Sequence, residues 1–247
     1  MRLITRLDIK NEFVIKGIHL EGLRKVGDPN QMAKNYYEQG VDEIVFMDAV
    51  ASLYDRNNLF EIIEKACEDV FVPIAIGGGI RSTDDVSRAL QSGADKVVIN
   101  TGAVRNIQLV EDIAKQFGSQ CIVCSIEAKK FGENWKAYID NGREPTDHDV
   151  IQWAQTLQEA GAGELLITSV DKEGTMRGFD TDLVKNINDS VNLPVIVSGG
   201  YGKSTDLEDL LDETQPSAVA FASVLHYKKS NINELRSIIS QNTEVIK

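Results

Sequence analysis

The segment Val72-Pro-Ile-Ala-Ile-Gly-Gly-Gly79 returns in the second half of the chain as Leu193-Pro-Val-Ile-Val-Ser-Gly-Gly200. Each copy has a proline, a short apolar run and a glycine turn, and 121 positions separate the two prolines. Two acidic residues, Glu43 and Glu164, are also 121 positions apart. One structural unit of about 120 residues is therefore used twice.

Short apolar runs that are typical of buried parallel strands alternate with amphipathic helical stretches. The predicted strands lie near Leu3–Asp8, Glu43–Asp48, Pro73–Ile76, Lys96–Ile99, Cys121–Ile126, Glu164–Thr168, Pro194–Val197 and Ala218–Ala222. The predicted helices include Asn30–Gln39, Leu59–Asp69, Thr83–Ser92, Ile107–Phe117, Val150–Ala160, Leu183–Asp189 and Ile232–Ser240.

Eight strand–helix units in 247 residues predict an α/β fold, the (βα)8 TIM barrel. A doubly wound open sheet is the alternative. The repeat favours the barrel, because two four-unit halves close it symmetrically. We expect a single domain over residues 1–247, made of half-barrels at about 1–120 and 121–247.

Two long connections occupy corresponding places in the two halves. Asn11–Asp28 follows the first predicted strand and Lys129–Thr146 follows the fifth. We expect both to be loops at the C-terminal face of the barrel, where active sites of this fold are built.

Composition narrows the class of protein. The net charge of −12 argues against binding to nucleic acid or to a membrane surface, since both require basic patches. The charged start Met1–Arg6 does not resemble a secretory signal, and no apolar run approaches the roughly 20 residues of a membrane span. We therefore expect a cytoplasmic protein.

Two acidic residues end opposite strands of the predicted barrel. Asp8 ends the first strand and Glu127 ends the fifth, so their carboxyl groups face each other across one mouth. Such a pair suits general acid–base catalysis, in which one group donates a proton while the other accepts one. The alternative is that each carboxylate caps a loop or pairs with Lys10 or Lys129.

The repeated glycine turns predict two anion sites. Backbone N–H groups and hydroxyls at these positions bind phosphate readily, and phosphate sites of TIM barrels favour the loops after the seventh and eighth strands. The second copy of the turn implies a second phosphate. The candidate residues are Gly79, Asn100, Thr101, Ser198, Gly200, Ala222 and Ser223.

Four charged residues stand at strand starts, which is the opposite, N-terminal mouth. They are Arg2, Glu43, Lys96 and Glu164. Without further information, the simplest interpretation is that these residues form salt bridges that close this mouth and serve a structural role. The three histidines, His19, His148 and His226, show no metal-ligand spacing, so we expect no metal and no cofactor.

Over essentially its full length the chain resembles the cyclase subunit of imidazole glycerol phosphate synthase, the HisF family. The matching motifs are Leu7-Asp-Ile-Lys10, Val14-Ile-Lys-Gly17, Gly27-Asp-Pro29, Asp42-Glu43, Gly77-Gly-Gly-Ile-Arg81, Gly93-Ala-Asp-Lys-Val97, Phe117-Gly-Ser-Gln120, Gly161-Ala-Gly-Glu164, Gly174-Thr175 and Ser198-Gly-Gly200.

The resemblance implies a glutaminase (HisH-like) partner that docks on the N-terminal barrel face and releases ammonia. The ring of four charges would then be the ammonia gate. Ammonia would react with a small bisphosphorylated ribulosyl-type substrate at the other face, giving imidazole glycerol phosphate and aminoimidazole carboxamide ribonucleotide. Asp8 and the position of Glu127 would be catalytic, and Lys16 and Gly174 would bind substrate.

The chain departs from the family pattern near the active face. The family has Asp at the position of Glu127, a small residue or Cys at Arg6, Thr at Val50 and often a basic residue at Met176. These departures keep two alternatives open. One is a HisF-like paralogue that supplies ammonia for amidine or amide formation on a surface-polysaccharide sugar. The other is a noncatalytic ammonia conduit.

Overall fold

A computed structural model of the protein describes residues 1–51 and 59–244. Its strands are β1 (Arg2–Lys10), β2 (Phe13–Ile18), β3 (Glu21–Gly27), β4 (Glu43–Asp48), β5 (Ile74–Gly77), β6 (Lys96–Ile99), β7 (Ile122–Phe131), β8 (Asn134–Ile139), β9 (Glu144–Asp149), β10 (Glu164–Ser169), β11 (Val195–Ser198) and β12 (Ala218–Phe221). Its helices are α1 (Pro29–Glu38), α2 (Leu59–Ala66), α3 (Thr83–Gln91), α4 (Thr101–Arg105), α5 (Gln108–Phe117), α6 (Val150–Glu159), α7 (Thr181–Ser190), α8 (Ser204–Glu213), α9 (Ser223–His226) and α10 (Ile232–Glu244).

Eight parallel strands close into a barrel. They pair in the order β1–β4–β5–β6–β7–β10–β11–β12, and β12 pairs again with β1 through Arg2↔Ala218 to Thr5↔Phe221. The predicted TIM barrel is therefore confirmed. The first four strands of this order come from one sequence repeat and the last four from the other.

The long connections at 11–28 and 129–146 follow the C-terminal ends of the first and fifth barrel strands, as predicted, but they form β-hairpins and not irregular loops. The end of β1 pairs antiparallel with β2, and β2 pairs with β3. In the second half, β7 continues beyond the barrel to Phe131 and pairs with β8, which pairs with β9. The sequence pattern did not indicate these strands, because they contain polar residues and glycines. Such residues occur there because only part of each hairpin is buried.

Local signals fix several helix starts. Asp28 accepts a hydrogen bond from the backbone N–H of Gln31, and Pro29 occupies the first turn of α1. Ser82 and Asp85 form a reciprocal capping box at the start of α3. The caps set where these helices begin, and the larger of two buried apolar clusters packs the helices against the outer surface of the barrel.

The barrel lumen is lined by an apolar belt, defined by nine buried residues from all eight strands. Its members are Ile4, Val45, Ala75, Val98, Val123, Leu166, Ile196, Ala218 and Ala220. Since alternate residues of a strand face opposite sides, the lumen residues of β1 are Arg2, Ile4, Arg6 and Asp8 in ascending order. The apolar belt is therefore bounded by charged residues on both sides.

Candidate active site

Asp8 lies at the C-terminal mouth of the barrel between two cations. Its Oδ1 accepts a hydrogen bond from Nε of Arg6 at 2.8 Å, and its Oδ2 accepts one from Nζ of Lys16 at 2.9 Å. Burial alone would raise the pKa of Asp8, but the two cations outweigh it and hold the pKa well below its usual value. Asp8 is therefore ionised at neutral pH.

Lys16 joins the β2–β3 hairpin to the rest of the mouth. Its ammonium group forms ion pairs with both Asp8 and Glu173, and its side chain is only 2% exposed. Burial lowers the pKa of Lys16, but the two carboxylates more than reverse this effect. Arg6, Asp8, Lys16 and Glu173 thus form a mouth network of two cations and two anions.

Backbone contacts hold the hairpin down as well. The N–H of His19 donates to the carbonyl of Glu173 at 2.8 Å, and Nδ1 of His19 lies 2.9 Å from the carbonyl oxygen of Val170. Gly174 has φ of 72°, and a Cβ there would collide with the carbonyl of Gly17. Glycine at this position therefore permits the close approach of the hairpin.

Arg6 reaches across the upper lumen. Its Nη1 donates to Oγ1 of Thr168 on β10 at 2.9 Å, while its Nε holds Asp8 on β1. The side chain is 2% exposed. Arg6 fills space directly above the apolar belt and supplies Asp8 with a permanent counterion.

Glu127 has a different environment. It is buried at the end of the barrel portion of β7, and its Oε2 accepts a 2.8 Å hydrogen bond from the N–H of Gly142. Burial raises its pKa to about 7, with further raising by Asp8 and Asp140, against lowering by Arg6 and the Gly142 amide. Asp8 and Glu127 are therefore brought to one mouth with opposite shifts in pKa, an arrangement that suits acid–base chemistry.

The predicted anion half-site of the first repeat is an open cavity of about 200 Å³. Gly79, Asn100 and Thr101 line it together with two cations that the sequence analysis missed, Arg81 and Arg105. Glu127 lies on the same cavity wall. The cavity therefore joins a candidate phosphate site to a candidate proton-transfer group.

The half-site of the second repeat is nearly closed, with a cavity of about 20 Å³. It is lined by Gly174, Ser198, Gly200, Ala222 and Ser223, and also by Glu173. Glu173 was missed because no repeat motif contains it; its position directly before Gly174 was the available signal.

The four charged residues at the N-terminal mouth form a closed ring. Arg2 bonds Glu43 and Glu164 at 2.6 Å each, and Lys96 bonds the same two carboxylates at 3.1 and 2.8 Å. Burial would raise the pKa of Glu164, but Arg2 and Lys96 lower it below its usual value. This ring, hereafter the basal ring, covers the lower end of the apolar belt.

Two other potentially reactive side chains, those of His226 and Cys124, are buried in the interior of the protein. His226 is buried, lies 2.8 Å from the Tyr36 hydroxyl, and has a pKa lowered to about 4 by desolvation. Burial raises the pKa of the Cys124 thiol to about 12. Across residues 1–51 and 59–244, no three His, Cys, Asp or Glu side chains converge as metal ligands would, and no helix has the length and apolarity needed to cross a membrane.

Comparison with known proteins gives one family over most of the chain. The family described as histidine biosynthesis protein matches residues 2–231. A Legionella pneumophila protein named imidazole glycerol phosphate synthase subunit HisF is 57% identical over 82% of this chain and 96% of its own length. Proteins with the same name from Myxococcus xanthus and Lactococcus lactis are 41% and 43% identical, each over 98% of this chain and 95% and 94% of their own lengths.

Proposed function

This chain belongs to the histidine biosynthesis protein family, and we propose that it acts as the cyclase subunit of imidazole glycerol phosphate synthase. The observation that carries the proposal is the pair of carboxyl groups at the C-terminal mouth, one ionised and one with a pKa of about 7. The cyclase reaction requires proton transfer at the substrate and stabilisation of the charge that develops there, and this pair supplies one group for each task.

In the proposed reaction, ammonia adds to a carbonyl carbon of a bisphosphorylated ribulosyl-formimino substrate, and the carbonyl oxygen leaves as water. Ring closure and C–N cleavage then release imidazole glycerol phosphate and aminoimidazole carboxamide ribonucleotide. Glu127 exchanges protons with the reacting nitrogen and oxygen atoms, since its pKa is close to neutral pH. Asp8 remains ionised and stabilises the positive charge that develops on nitrogen.

The two ends of the bisphosphate are assigned to the two half-sites. Gly79, Asn100 and Thr101 contact one phosphate, and Gly174, Ser198, Gly200, Ala222 and Ser223 contact the other. Lys16 contacts substrate from the β2–β3 hairpin. The repeat of the glycine turn and the position of both cavities at one barrel face support this assignment.

The proposed source of ammonia is a HisH-like glutaminase bound to the N-terminal barrel face in the cytoplasm. The basal ring supports this proposal, because a ring of four paired side chains can open by rearranging its ion pairs. The apolar belt behind it is compatible with passage of an uncharged molecule. Arg2, Glu43, Lys96 and Glu164 are therefore assigned as the ammonia gate.

The test is turnover of the bisphosphorylated intermediate by the purified chain with ammonium salt in place of glutaminase. We expect turnover in the ordinary enzyme range, and a fall of roughly 10²- to 10⁴-fold in both Asp8→Asn and Glu127→Gln. Glu133→Gln, an exposed change in the β7–β8 hairpin, is the matched control and should leave turnover unchanged. Unchanged turnover in both site variants would refute the catalytic assignment.

The buried pairing of Asp8 favours a second candidate, an ammonia-supplying paralogue or conduit that serves another acceptor, such as a surface-polysaccharide sugar. Arg6 and Lys16 each donate to one oxygen of Asp8, so a substrate group must compete with two buried cations for that carboxylate. The same assay separates the candidates. A folded chain that activates a glutaminase but does not convert the intermediate would support the second.

A further inference from the structure

The two anion half-sites differ in the space that remains within them, which is about 200 Å³ in the first and about 20 Å³ in the second. In the half-site of β11 and β12, the Glu173 carboxylate lies against the glycine turn, with Oε2 only 2.9 Å from where a Cβ of Gly199 would stand. Gly199 has φ of 93°, so the turn requires glycine for its backbone as well. The first half-site, by contrast, keeps an open cavity of about 200 Å³, whose lining includes Arg81 and Arg105 as well as the acidic residues Asp48 and Glu127.

The Glu173 carboxylate is held in place by a buried cation. Its carboxylate pairs with the Lys16 ammonium, and it is 4% exposed. The cavity beside it, about 20 Å³, has room for about one water molecule and not for a phosphate group. A phosphate added without other change would also bring two or more negative charges against a buried carboxylate.

Lys16 has little access to a further anion in this arrangement, because its side chain is nearly fully buried between two carboxylates. An ammonium group has three donors, and two of them are directed to Asp8 and Glu173 within a side chain that is 2% exposed. A phosphate that reaches the turn at Gly199 and Gly200 must therefore replace one of these carboxylates. Glu173 is the one that lies within the half-site.

We propose that the Glu173 carboxylate acts as an internal anion in the β11–β12 half-site, so that a phosphate enters there only by displacing it from Lys16. Glu173 is then a specificity-determining residue. Ligands with one anionic end bind at the open half-site with the mouth network intact, whereas a bisphosphate must also break the Lys16–Glu173 pair. This inference rests on the proposed phosphate half-sites and not on the reaction catalysed.

The test is a titration of the full chain with inorganic phosphate, followed by the backbone amide NMR signals of the two turns. In the unaltered protein we expect shifts at Gly78 and Gly79 and none at Gly199 and Gly200. In Glu173→Gln, which keeps the side-chain shape, the second turn should respond, with an affinity at least about tenfold above that of the unaltered protein. Asp171→Asn, a change two residues away that keeps its hydrogen-bond acceptor for the Lys130 N–H, should behave as the unaltered protein.

Three results would overturn the inference. Equal shifts at both turns in the unaltered protein would show that Glu173 does not obstruct the half-site, and this measurement needs no variant. Shifts at Gly78 and Gly79 alone in every protein would show that Glu173 is not the obstacle. Absence of shifts at either turn in every protein would refute the phosphate half-sites themselves, and the inference with them.

Discussion

The two mouths of the barrel each carry two cations and two anions, but they hold these charges differently. The basal ring draws one residue from each of four barrel strands, and its Arg2 side chain is 32% exposed. The mouth network takes only Arg6 and Asp8 from a barrel strand, while Lys16 comes from a hairpin and Glu173 from the segment after β10. All four of its side chains are nearly fully buried.

The basal ring and the mouth network therefore differ in how freely their ion pairs can rearrange and in how much each member contributes to stability. The basal ring can exchange partners without moving the backbone, because each carboxylate meets both cations. The mouth network cannot release Lys16 unless the β2–β3 hairpin or the side chain moves. We therefore expect the ring to tolerate the loss of a member and the network to depend on each one.

The largest expected effect is on stability when one buried cation is removed. Lys16→Met leaves Glu173 without its cation in a buried site, and such a change costs about 3–5 kcal/mol of unfolding free energy. The matched change in the basal ring, Lys96→Met, should cost clearly less, because Arg2 still pairs with both carboxylates of that ring. Urea unfolding of both variants measures the two costs, and equal costs would remove the distinction between the mouths.

The next effect concerns Glu127, which lies beside the mouth network with no ion pair of its own among the described residues. Its folded-state pKa of about 7 exceeds the usual 4.5, so the folded state binds this proton more tightly than the unfolded state does. The stability that the proton contributes is complete below about pH 4.5 and is lost as pH rises through 7.

Glu127→Gln resembles the protonated form at every pH. It should be close to neutral for stability at pH 5 and should stabilise the protein by up to about 3 kcal/mol at pH 8. Urea unfolding at the two pH values measures the difference, with Glu133→Gln as the exposed control. A stabilisation that does not change with pH would show that Glu127 titrates at its ordinary value.

The smallest expected effect is that of salt on the same pair of lysine variants. Raising the salt concentration from 0.1 to 1 M shortens the Debye length from about 10 to about 3 Å. The cost of Lys96→Met should fall by a few tenths of a kcal/mol, whereas that of Lys16→Met should not change. Equal sensitivity to salt would indicate that water enters the mouth network.

The barrel and its two mouths could be predicted from the sequence because they follow from a repeat. Equivalent positions in two copies, such as Glu43 and Glu164, must lie at equivalent places in a closed barrel. Burial and pairing at the C-terminal mouth could not be predicted in the same way. Lys16 and Glu173 are 157 positions apart and belong to no repeat, so only the folded hairpin brings them together.

The hairpins illustrate the same limit. The segments at 11–28 and 129–146 have the composition of loops, and their strands form by extending β1 and β7 beyond the barrel. That extension depends on tertiary context, since one face of each hairpin is left in water. Departures such as Arg6 could be recognised in the sequence, but the partner Thr168 on β10 could not.

The apolar belt has a consequence for permeability. Its nine side chains offer no hydrogen-bond acceptor or countercharge to a molecule in the lumen. An ion that entered the belt would lose its hydration without replacement, at a cost far above that of a neutral molecule of the same size. The lumen therefore discriminates by protonation state. A weak base would pass the apolar belt in its neutral form, and its protonated form would be excluded.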